Sequence, residues 1–306
     1  MLKKIMRTAA LAAVGFLAGV GLSSLERSFA QDYAHTEASP ALWTIEHDNA
    51  TVHLFGTFHL LPAGLDWRSD AVNAAFASSD RVWFEADVLS PEAQAEVQAL
   101  IPQIGVNAPG VTLSSLLDAE TQAALAEVAG GMGIPAANLE PLQPWLAGLL
   151  LATTQLQMLG FDPTAGVEAV LKGEADAAGK GFGYFETVES QMRVFADLSL
   201  ETQVEWLSLS LAEISELESE MDAMVTAWAT GDMAALDAQV NDAMRDANEE
   251  IYMAIMVDRN RAWIPQILEI LNEGGTHFVA VGAGHMPGEE GVIALLEAEG
   301  LTVTRH

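Results

Sequence analysis

The chain has 306 residues, no cysteine, and 13 basic against 43 acidic residues, for a net charge of −30. So acidic a surface repels nucleic acid and anionic lipid. The missing thiols exclude disulfides, lipid attachment through an N-terminal cysteine, and thiolate metal sites. Any metal centre must be built from histidine and carboxylate.

Lys3, Lys4 and Arg7 precede an apolar run from Thr8 to Leu22, and Ser28 and Ala30 set small residues three and one before Gln31. This is the order of a secretory signal peptide, residues 1–30, cut after Ala30. The run is shorter than the ~20 residues of a bilayer span. The mature protein is therefore expected in the periplasm or outside the cell, with no membrane span. Without residues 1–30, which hold four basic residues and one acidic residue, 9 basic and 42 acidic residues remain, a net charge of −33.

Strands are predicted near 41–46 and 51–56 about the turn residues Asp48 and Asn49. A short helix over 67–79 leads to a buried strand, "RVWFEAD", at 81–87. Helices follow at 91–104, 114–130 and 142–160, then a turn and short strand at 178–186. From there the pattern is helical to about 272. In 201–228 the apolar residues from Val204 to Trp228 recur on one face, and the glutamates mark the solvated side. A strand ending in "VAVGAGH", a helix at 289–298 and a last strand, "LTVTRH", close the chain.

Residues 51–86 and 276–306 thus repeat one pattern of strand, Gly-x-x-His, helix and strand. The fold class is α/β, or mixed α+β. A mostly parallel sheet would be built from both ends of the chain, about 41–87 and 276–306. The helical insertion, about 90–272, would cap it, all within one domain over 31–306. Ligands in such sheets bind at the carboxyl ends of the strands. A glycine leaving each strand would let the backbone turn, so that His59 and His285 point over that edge. Glu85, ending "RVWFE", reaches the same edge. Two imidazoles and a carboxylate suit a divalent ion such as zinc, manganese or cobalt, with a position open for water. Arg259 could stabilise an oxyanion or fix a substrate carboxylate, or form a salt bridge to Glu85 or Glu186. His47, His53 and His277 lack the glycine context, and His306 is terminal.

"LFGTFHLLP", "RVWFEAD", "GVEAVLKGEADAAGKGFGYFETVESQ", "DRNRAWIPQI" and "FVAVGAGHMPGEEGVIALLEAEG" together resemble the TraB/GumN family. That family is grouped with Tiki-type metalloproteases and is more distantly similar to erythromycin esterase and ChaN-like proteins. The resemblance covers about residue 41 to the C-terminus. It implies a metal-dependent hydrolase fold whose motif residues are Gly56, His59, Glu85, Arg259, Gly282 and His285. Glu186 matches a further motif glutamate, a general base or a support for the site. The transmembrane tail of the Tiki proteins is missing here. The expected activity is hydrolysis of a peptide or other small substrate. The alternatives are a binding protein for haem, metal or peptide, and an accessory factor in exported polysaccharide production.

Overall fold

The computed structural model describes residues 38–306; the expected signal peptide lies outside them. β1 (Leu42–His47) and β2 (Ala50–Thr57) form an antiparallel hairpin. The turn is tight enough that Asp48 takes a positive φ of 50°, a conformation aspartate tolerates better than most residues. Asp70–Ser78 is the next helix, capped by Ser69, and β4 (Arg81–Phe84) follows it; β3 (Leu61–Pro62) pairs instead with β5 (Phe161–Asp162).

The six-stranded sheet runs β6-β4-β7-β2-β1-β8, where β6 is Gly181–Tyr184, β7 is Gly275–Gly282 and β8 is Val303–Arg305. β6, β4, β7 and β2 are parallel, while β1 and β8 are antiparallel to their neighbours. β7, from the end of the chain, inserts between β2 and β4, so the two strands that carry Gly-x-x-His lie side by side.

Two details differ from the sequence expectation. The segment 90–272 is not wholly a helical cap, because β6 from its middle extends the sheet beside β4. Small residues permit this: a side chain at Gly183 would lie 2.3 Å from the Trp83 ring. The final strand does not extend the parallel part of the sheet but lies antiparallel on β1 at the far edge.

Side chains alternate across the sheet as the pleat requires. Val52 and Leu54 of β2 and Val279 and Val281 of β7 pack with Trp263, Ile264 and Ile267 of the helix Asp258–Glu273. On the other face Phe55, Phe278 and Ala280 meet Phe76, Trp228 and the rest of the helical insertion. No helix among the described residues is long and apolar enough to cross a membrane.

Candidate active site

β2 and β7 run in parallel with Thr57 opposite Gly282, so both chains leave the sheet at the same edge. β4 ends on the other side of β7 at Phe84, and Glu85 is the next residue. His59, Glu85 and His285 therefore converge, lining one cavity with Thr57, Phe58 and Met256. His59 and Glu85 also line a second cavity on the side of β4 and Gln191.

The motif glycines serve close approach rather than an unusual backbone. Gly282 has φ −48°, and Gly56 has no positive φ. A Cβ on Gly56 would stand 2.9 Å from Ala283 Cα, and one on Gly282 would stand 3.1 Å from Glu85 Oε1. Without side chains there, the two loops and the carboxylate can pack together.

Glu85 is 5% exposed and fully hydrogen-bonded. Its Oε1 accepts from the Gly282 N–H at 2.7 Å, and its Oε2 accepts from Gln191 Nε2 at 2.9 Å and Arg259 Nη2 at 2.5 Å. Burial alone would raise its pKa, but Arg259, the imidazoles and the Gly282 amide outweigh burial and hold it down at about 2.

Arg259 enters from the helix Asp258–Glu273 and is itself buried. Its Nε and Nη2 grip the Glu186 carboxylate as a fork, at 2.8 and 2.9 Å. Its Nη1 donates to the Ile255 carbonyl and to His285 Nε2, both at 3.2 Å. Ile255 lies in a π-helical turn, Met253–Val257, and such wide turns leave main-chain carbonyls to side chains. Trp263 lies beneath the guanidinium, 5.0 Å from its carbon, and its Nε1 donates to Glu186 Oε1. The network opposes burial and raises the Arg259 pKa further.

The two histidines are presented alike. Asn260 Nδ2 donates to the Glu290 carbonyl at 2.8 Å, so its Oδ1 accepts from His285 Nδ1–H at 2.6 Å. His285 Nε2 then carries the lone pair that faces Arg259. Burial and the Arg259 charge lower this ring to about 3, so it is neutral. His59 places Nδ1 on Glu168 Oε1 at 2.9 Å, and no described residue pairs with its Nε2. Burial favours the neutral ring there too, but the Glu168 charge and hydrogen bond prevail and raise it to about 9.

The sequence reading missed Glu168, Gln191 and Asn260 as members of the site. Glu168 and Gln191 belong to segments quoted for the family resemblance, and Asn260 is next to Arg259; none carries a motif of its own. The remaining histidines stand apart: His277 sits between Trp83 Nε1 and the Gly274 carbonyl, and His53 and His306 both meet Thr44.

The donors fit a divalent ion in kind. Metal-bound histidines usually give their second ring nitrogen to a carboxylate or carbonyl oxygen, and Glu168 and Asn260 stand in those places. In the geometry as it stands, no three described His, Asp or Glu side chains are grouped to hold an ion. Arg259 already lies against Glu85 Oε2 and His285 Nε2.

No curated protein and no solved structure matches the chain. A family model does match, over residues 41–305, nearly the whole chain beyond the expected signal. With its paired Gly-x-x-His strands brought to one edge, the chain belongs to the TraB/PrgY/gumN family.

Proposed function

We propose that the chain is an exported hydrolase of peptide bonds, in which His59, Glu85 and His285 take a divalent ion. The observation that carries this reading is the matched presentation of the imidazoles. Each gives Nδ1 to a fixed oxygen, of Glu168 or Asn260, which leaves Nε2 as the ring nitrogen that would meet an ion beside the same cavity. Glu85, held as a carboxylate, adds the anionic donor. An ion bound there would polarise a carbonyl and acidify a coordinated water. Arg259 would then release His285 Nε2 while its fork on Glu186 keeps the guanidinium beside Glu85 and the ion, where it would stabilise an oxyanion. Glu186, with both oxygens on Arg259 and Trp263, positions that guanidinium.

A second reading has its own observation. The Arg259–His285 contact at 3.2 Å and an ion on His285 Nε2 exclude each other. If that contact persists, Arg259 supplies the positive charge and the cavity binds a peptide or similar ligand without an ion. Metal analysis of the purified protein and peptide-library cleavage with and without chelator separate the two. Stoichiometric zinc, manganese or cobalt, with cleavage lost on chelation, supports the metal hydrolase. A protein that takes up no ion and cleaves no peptide overturns it.

A further inference from the structure

One largely buried carboxylate beside the site has so far been given no role beyond holding the His59 ring. Glu168 is the second residue of the helix Val167–Ala178, whose N-cap is Gly166. A Cβ on Gly166 would stand only 2.0 Å from the His59 carbonyl oxygen, so glycine lets the helix start press on that loop. Val167 N–H donates to the Phe58 carbonyl at 2.9 Å and locks the contact. Glu168 Oε1 is thereby brought to His59 Nδ1 and also accepts from the Thr57 hydroxyl. Its other oxygen, Oε2, is buried and has no hydrogen-bond partner. An unsatisfied buried acceptor is costly, and in native proteins it points to an absent water or ion or to a catalytic role.

In the other two carboxylates of the cluster, both oxygens already accept hydrogen bonds. Glu85 uses both oxygens on Gly282, Gln191 and Arg259. Glu186 uses both on Arg259 and Trp263. Glu168 alone of the three combines an unpaired oxygen with a place on the wall of the second cavity, next to His59 and Glu85.

Resting on the hydrolase reading above, we propose that Glu168 is its general base. Oε2 takes a proton from water while the water oxygen bonds to the substrate carbonyl carbon and the C=O π pair moves onto oxygen. Collapse restores the C=O and breaks the C–N bond; the leaving nitrogen takes the proton back from Glu168. Water is thus added across the amide, nothing is oxidised or reduced, and Glu168 returns to its carboxylate. Oε1 keeps hold of His59 throughout, so one carboxylate both orients the ring and moves the proton.

The test uses the full-length metal-loaded protein and the best peptide from the library. Glu168→Gln keeps an acceptor for His59 but cannot take the proton, so it should keep its bound metal and fold and lose ~10²–10⁴-fold in kcat. In Glu168→Ala, added formate should restore part of the rate, because a small carboxylate can occupy the vacated position. A Glu168→Gln protein within a few-fold of wild-type kcat overturns the proposal. So does a slow Glu168→Ala protein that formate leaves slow, since a purely orienting role predicts no rescue. A wild type that cleaves no peptide with zinc, manganese or cobalt sinks the hydrolase reading and the base with it. An active wild type beside an active Glu168→Gln sinks the base alone.

Discussion

Arg259→Ala should be among the most destabilising single substitutions in the chain. Arg259 is 7% exposed and joins two carboxylates of which the side chains are only 6% and 12% exposed. Removing it leaves Glu85 with the Gly282 amide and Gln191, and Glu186 with Trp263, and takes from both the guanidinium charge they share. Removing one partner of a buried pair typically costs ~3–5 kcal/mol. Two carboxylates are stranded here, so the expected cost is at the upper end, about 5 kcal/mol. That is a large share of a typical total stability of ~5–15 kcal/mol. Arg259→Lys should recover less than half, because an ammonium cannot span the Glu186 fork and Glu85 together. Arg259→Met combined with Glu85→Gln and Glu186→Gln removes the stranded charges and should recover most of it. Urea denaturation of the chelated protein, followed by tryptophan fluorescence, measures each value. A cost below about 1 kcal/mol for Arg259→Ala, the scale of an exposed pair, would refute the buried-network argument. Failure of the triple variant to regain stability would refute it as well.

The elements were legible because each carries its period in its own residues. Alternation marks β2, the turn at Asp48 and Asn49 marks the hairpin, and caps such as Ser69 and Ser90 start helices where polar residues precede apolar runs. That Gly56-x-x-His59 and Gly282-x-x-His285 share an edge was also legible, from the repeat of one pattern at both ends. The order of strands was not: β7 between β2 and β4, β6 beside β4 and β8 on β1 depend on packing between segments far apart in sequence. The glycines were noticed for the wrong reason. Their importance lies in what would collide with a Cβ, which no local pattern records. Glu168 stayed hidden for a related reason: its partners Thr57 and His59 are more than 100 residues away, and the contact depends on Gly166 meeting the His59 carbonyl. Arg259 was readable as a choice between a catalytic group and a salt bridge. The structure has it in ion pairs with both Glu85 and Glu186.

Gly282→Ala should cost ~1–3 kcal/mol and weaken zinc uptake, because its Cβ would stand 3.1 Å from Glu85 Oε1; urea denaturation reads the first and calorimetric zinc titration of the folded variant the second. His285→Ala should abolish zinc uptake while wild-type protein binds one equivalent, and equal uptake by the two would remove His285 from the ligand set. The stability of the chelated protein should peak near pH 6.5. On the acid side, His285 is lowered from 6.5 to about 3, so below pH 6.5 the unfolded ring takes a proton that the folded ring refuses. Glu85, lowered from 4.5 to about 2, contributes stability that is present above pH 4.5 and lost as pH falls through 2. On the alkaline side, His59 is raised from 6.5 to about 9 by Glu168, so its contribution is complete below 6.5 and lost as pH rises through 9. At 1.36 kcal/mol per unit that loss is about 3 kcal/mol. His59→Gln should be less stable than wild type at pH 6.5 but nearly level with it at pH 9.5. Zinc competes for the same ring, so its affinity should rise over this interval, by roughly tenfold per pH unit for one displaced proton. Denaturation midpoints and zinc titrations at half-unit steps from pH 5.5 to 9.5 give both curves. A wild-type stability that stays flat from 6.5 to 9, or an alkaline decline that survives in His59→Gln, would show that the His59–Glu168 pair does not carry this charge.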